Sequence, residues 1–159
     1  MLARALWHAF VILYRYAPTD RLLATVSSGA KADRTDPQAV LHRVYSAVIQ
    51  GDFDAFSEAV TEDVELNICG FGHLDGTWRG RDEVVAATRK NFSEMESQQP
   101  EIEGMISQDD RVGVLLRESG VFKSTSQAYS IRAVQWFTFA DGKIRKIDEI
   151  VASIWKGAN

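Results

Sequence analysis

The chain has 159 residues, 45% hydrophobic and 25% charged, which points to one globular domain with a sizeable core and excludes wholesale disorder. Lys+Arg 18 against Asp+Glu 22 leave a formal net charge of −4, which argues against the basic surface that nucleic-acid binding requires. The single cysteine, Cys69, excludes an intrachain disulfide and a Cys-rich zinc site, and it fits a reducing, cytoplasmic compartment.

Residues 1–35 differ from the rest and are expected to be a helical extension followed by a polar linker. Ala5–Tyr14 is apolar between Arg4 and Arg15. The run is too short for a membrane span, which takes about 20 residues. It is read as a retained helix rather than a leader, with Trp7 and Phe10 as anchors onto the domain or a partner subunit. Ser27–Thr35 supplies the linker.

The domain proper is expected over residues 36–159. Asp36-Pro37 is a helix start, with Asp at the cap and Pro at the first helical position. Val40, Leu41, Val44, Tyr45, Val48 and Ile49 then recur at helical spacing until Gly51. Asp52 caps a short second helix carrying Phe53, Phe56 and Val60. Val64–Cys69 alternates as a strand, with Val64, Leu66 and Ile68 on one face. A Gly-rich loop, Gly70–Gly76, and the stretch Thr77–Gly80 lead into a third helix from about Asp82, whose buried face carries Val84, Val85, Thr88, Phe92 and Met95. After Pro100 the pattern is that of strands: Glu101–Ser107, Val112–Phe122, Gln127–Phe139 and Lys143–Ile154. Turns separate them at 108–111, at 123–126 and at Asp141-Gly142. Helices first and antiparallel strands after predict an α+β fold with a strongly curved antiparallel sheet wrapped around three helices.

Four stretches together resemble one superfamily. They are Gly51-Asp52-Phe53 after the capped helix, Thr61-Glu62-Asp63-Val64-Glu65-Leu66, Gly76-Thr77-Trp78-Arg79-Gly80-Arg81-Asp82, and Trp136 through Ile144. Their order and spacing are similar to those of the nuclear-transport-factor-2-like group, in its SnoaL-like, ketosteroid-isomerase-like branch. The resemblance implies a cone-shaped α+β barrel with an apolar pocket. It covers isomerases, cyclases, hydrolases and non-catalytic binding proteins, so it does not fix a function.

Carried over residue by residue, the resemblance places the isomerase tyrosine at Val44, the catalytic aspartate at Ile68 and the second acid at Gln135. Valine and isoleucine cannot move a proton, which argues against steroid isomerisation. The Asp-Arg-Asp set of limonene epoxide hydrolases falls on Ser119, Arg117 and Glu149, with one carboxylate lost. The polyketide cyclases again point to an acid on the last strand. The expected catalytic set is therefore Glu149 as acid or base, Arg117 setting its charge, and Gln135 orienting a carbonyl or hydroxyl. Val44, Leu66, Ile68, Trp78, Leu115 and Ser119 are expected to line the ligand site.

Of Arg117 and Glu118, adjacent on an apolar strand, one must face the packed side, and an inward Arg117 would need Glu149 as its partner. His8, His42 and His73 have no metal-ligand spacing, so neither a metal nor a cofactor is expected. The expected partners are a small hydrophobic molecule and a second copy of the chain. The long strands are apolar on both faces, which predicts a homodimer through the outer face of the sheet. Two readings follow: a cofactor-free isomerase, cyclase or hydrolase, or a non-catalytic binding or assembly module.

Overall fold

The computed structural model describes residues 36–156. The expected N-terminal helix, its linker and its docking by Trp7 and Phe10 lie outside these residues. Two helices, α1 (Pro37–Gln50) and α2 (Phe53–Glu58), come first, and a third, α3 (Arg81–Ser93), follows the first two strands. They pack on a six-stranded sheet of β1 (Val60–Cys69), β2 (Gly76–Arg79), β3 (Met95–Gln108), β4 (Arg111–Phe122), β5 (Ala128–Ala140) and β6 (Lys143–Lys156), in the order β2-β1-β6-β5-β4-β3.

The caps read from the sequence are present. The Asp36 carboxylate accepts from the Ala39 N–H, Pro37 opens α1, and Gly51 closes it in the left-handed region at φ 73°. Asp52 accepts from the Ala55 N–H and starts α2. The buried face of α1 is Val40, Leu41, Val44 and Ala47. It meets the inner row of the sheet, including Val112, Val114, Leu116, Ile131, Ala133 and Phe137.

The α+β cone is as expected, with three departures in detail. First, β1 pairs with β6 in parallel, Leu66 opposite Ile147 and Ile68 opposite Glu149, so the sheet is mixed. Second, the sheet does not close: β2 and β3 are its two edges. Third, element boundaries move. Val60 begins β1 rather than ending a helix. Thr77–Arg79 pairs antiparallel with β1. Met95 begins β3 instead of lying on the face of α3. Pro100 falls inside β3, which is tolerable because β3 is an edge strand where a missing N–H leaves no ladder bond unmade in the interior. The Asp141-Gly142 hairpin is formed with positive φ at both residues, as a type I′ turn requires.

Candidate functional site

Inside the cone, the helices and the sheet leave a cavity of about 160 Å³, open on one side. Its walls are apolar. Val44 and Val48 come from α1, Phe56 from α2, Leu66 and Ile68 from β1, Phe92 from α3, Phe137 from β5 and Ile147 from β6. The loop between β1 and β2 adds Phe71 and Leu74, both buried. Asp75 shapes that loop by accepting from the Phe71 N–H at 2.6 Å and the Gly72 N–H at 3.1 Å. Half-buried Tyr45, Val48, Thr88, Asn91, Phe92, Met95 and Gln98 belong to α1, α3 and β3, and they mark the mouth.

Two acids interrupt the apolar lining. Glu149 sits on β6 directly opposite Gln135 of β5, and the Gln135 Nε2 amide donates to its Oε2 at 3.0 Å. The Tyr45 hydroxyl donates to Gln135 Oε1, so tyrosine, amide and carboxyl form one chain from α1 to β6. The surface Glu149 keeps is cavity wall rather than bulk solvent. Burial therefore dominates and pushes its carboxyl up to about 7, the Gln135 hydrogen bond pulling it down and the negative charge of Glu118 adding to the rise.

Glu118, 9% exposed, is the only buried charged residue among those described. Burial raises its pKa too, against the hydrogen bonds that it accepts from Tyr129 and Gln98. The Tyr129 hydroxyl donates to Oε1 at 2.7 Å and the Gln98 amide to Oε2 at 3.0 Å, so both oxygens are engaged. Gly120 makes this geometry possible. A Cβ there would stand 2.8 Å from the Tyr129 ring and 2.2 Å from the Ser97 carbonyl oxygen.

The SnoaL-like domain model matches residues 41–147, two thirds of the chain. The chain belongs to the SnoaL-like domain family. Among solved structures this SnoaL-like domain is similar to an NTF2-like protein of Burkholderia xenovorans LB400. The two share 25% identity at a TM-score of 0.64, over 77% of this chain and 92% of the other. An NTF2-like protein of Burkholderia thailandensis E264 superposes at a TM-score of 0.65 with 21% identity, over 72% and 89% of the two chains. A Jannaschia protein assigned as a SnoaL-like polyketide cyclase does so at 0.65 with 18% identity, over 79% and 92%. Among curated proteins none matches.

Of the residues singled out in the sequence, the SnoaL-like fold brings Glu149, Gln135, Val44, Leu66 and Ile68 together around the cavity. Four do not reach it. Arg117, Leu115 and Ser119 share the outer face of β4, because Val112, Val114, Leu116 and Glu118 take the inner face in alternation. Arg117 binds Glu103 rather than Glu149, and Arg132 binds the same carboxylate. Trp78, on β2, packs at the margin of the core and over Gly76 without lining the cavity. Of the two neighbouring acids on β6, Asp148 points outward and takes hydrogen bonds from Asn67 and Lys146. Glu118 and Tyr45 are cavity residues that sequence reasoning did not assign to the site. The β4 alternation carried the signal for Glu118, since it continues the inward series of Val112, Val114 and Leu116.

Proposed function

We propose that this SnoaL-like domain binds a small, largely apolar, ring-sized molecule in the cavity and that Glu149 moves a proton on it without a cofactor. The observation that carries this reading is an ionisable carboxyl, pushed up to about 7, in the wall of an open and largely apolar cavity. General acid–base catalysis works best when the group's pKa lies near the working pH. Gln135 holds Oε2, and among the described residues no hydrogen bond engages Oε1. The orienting role expected of Gln135 thus acts first on Glu149, and Glu118 takes the part of tuning its charge that was expected of Arg117. The cavity volume supports one ring: about 150 Å³ of apolar space holds one benzene. A fused polyketide would have to project through the mouth. Isomerisation, ring closure and hydration all fit a single proton carrier of this kind.

The test is a thermal-shift screen of single-ring ligands, followed by turnover assays on those that bind. Glu149→Gln should still bind neutral single-ring ligands and lose turnover by about a hundredfold or more. Unchanged turnover in that variant would remove Glu149 from the chemistry. Binding without turnover in the unmodified protein would favour the non-catalytic module.

The outer face supports a second copy as partner. Leu115, Val134 and Ile150 are register neighbours across β4, β5 and β6, and all three are exposed, Ile150 to 60%. An apolar row of this kind is an association surface or an aggregation liability. Ion pairs of Glu103 with Arg117 and Arg132 lie to one side of it, and those of Lys146 with Glu65 and Asp148 to the other. Among the described residues no helix is long and apolar enough to cross a membrane.

A further inference from the structure

We propose that the ligand of this cavity is a small organic cation, a ring-sized amine whose ammonium faces Glu149 and whose apolar body lies against the aromatic walls. The proposal rests on the reading of the cavity as a small-molecule site and names the charge of its occupant.

The charge balance of the cavity carries the argument. Among its lining residues the titratable side chains are Tyr45 from α1, Glu118 from β4 and Glu149 from β6. The linings from α2, β1, the β1–β2 loop, α3, β3 and β5 bring none, and among the described residues no Lys, Arg or His lines the cavity. The neighbouring cations are engaged elsewhere. Arg117 and Arg132 hold Glu103 on the outer face, Lys146 and Arg79 hold Glu65, and Arg81 holds Glu62. Among the described residues the negative charge inside therefore has no counter-ion. An anionic ligand would be repelled by both carboxylates, and a neutral one would leave them uncompensated. An ammonium would neutralise Glu149 at the oxygen that Gln135 leaves open.

The walls favour the same ligand. Tyr45, Phe56, Phe71, Phe92 and Phe137 surround the space. Aromatic faces attract cations, most strongly when water is excluded. Glu118 adds to the field from further along the sheet. It lies four residues up β4 from Val114, the register partner of Gln135, and its own oxygens are taken by Tyr129 and Gln98. Binding of a cation would also strip the proton from Glu149, so an amine would itself prepare the carboxylate to act as a base.

The test uses three size-matched probes, benzylamine, benzyl alcohol and benzoate, titrated calorimetrically into the whole protein at pH 8. An aliphatic ammonium keeps its proton there, since such groups titrate near pH 10. Benzylamine should bind about tenfold or more tightly than benzyl alcohol, and benzoate not measurably. Glu149→Gln should erase that preference, leaving the two neutral-to-cationic affinities within about threefold. Glu118→Gln should weaken benzylamine by a smaller factor, and the comparison of probes on the unmodified protein decides the matter if that variant does not fold. Equal or tighter binding of benzyl alcohol or benzoate would overturn the cation proposal while leaving a small-molecule cavity in place. Failure of all three probes to bind would overturn both.

Discussion

Gln135 and Glu149 face each other across β5 and β6, and the amide of one donates to the carboxyl of the other at 3.0 Å. The hydrogen bond favours the charged form of Glu149, while burial and the charge of Glu118 oppose it. Gln135→Leu removes the favourable contribution and the hydrogen bond that the Tyr45 hydroxyl donates to the amide. The Glu149 carboxyl should then titrate above pH 7, shifted upward by a unit or so. Carbon-detected NMR of the carboxyl measures it directly, and an unchanged or lowered titration would show that the amide does not act on it.

The same burial makes the stability of the fold depend on pH. Folded Glu149 holds its proton up to about 7, against an ordinary value of 4.5, so the native state binds more protons than the unfolded one between those limits. Its contribution to stability is full below pH 4.5 and lost as pH rises through 7, at most roughly 3 kcal/mol over the window. Glu118, also raised, acts in the same direction. Glu103, Glu65 and Asp63 are lowered by hydrogen bonds and cations, so they act oppositely, losing their contribution only in more acidic solution. Urea unfolding from pH 5 to 8 should therefore show falling stability in the unmodified chain and a flatter profile in Glu149→Gln. A rise with pH would contradict the burial of this acid.

Gly120 tests the inner architecture. With a Cβ 2.2 Å from the Ser97 carbonyl oxygen, Gly120→Ala must push β3 away from β4 or displace Tyr129 from Glu118. A loss of roughly 2–3 kcal/mol in chemical denaturation is expected, the usual scale of overpacking. A loss of a few tenths would mean that β3 yields easily as an edge strand.

The outer apolar row gives a separate outcome. Val134, 44% exposed, lies at the middle of the Leu115–Val134–Ile150 row. Val134→Lys should convert a dimer to a monomer by light scattering at micromolar concentration while leaving the melting of the monomer nearly unchanged. A monomer in the unmodified protein would refute dimerisation through this face.

The sequence was most legible where local rules act alone. Asp36-Pro37, Gly51, Asp52 and Asp141-Gly142 carry their own stereochemistry, and each stands where it was read. Glu149 and Gln135 were legible because one alternation and one family likeness pointed to the same strands. The pairing of β1 with β6 was not, since parallel neighbours far apart in the chain leave no local mark. Nor was the role of Tyr45: helical spacing put it on the apolar face of α1, but only the packed fold shows its hydroxyl meeting Gln135.

Arg117 is where a phase choice on one strand went the other way, and it yields the last prediction. An inward arginine would have held Glu149 ionised, far below pH 7. The fold instead gives β4 an inner face of Val112, Val114, Leu116 and Glu118, which sets Arg117 outside, more than half exposed, on Glu103. That surface pair is shared with Arg132, so removing one arginine leaves the other on the same carboxylate. Arg117→Gln should therefore cost under about 1 kcal/mol of stability, as exposed pairs do. It should also leave the titration of Glu149 in place, whereas Glu118→Gln, which removes the neighbouring negative charge, should lower it. With the acid inside the sheet and the base outside, only Glu118→Gln moves the NMR-observed carboxyl. A large shift in Arg117→Gln, or none in Glu118→Gln, would reverse that assignment.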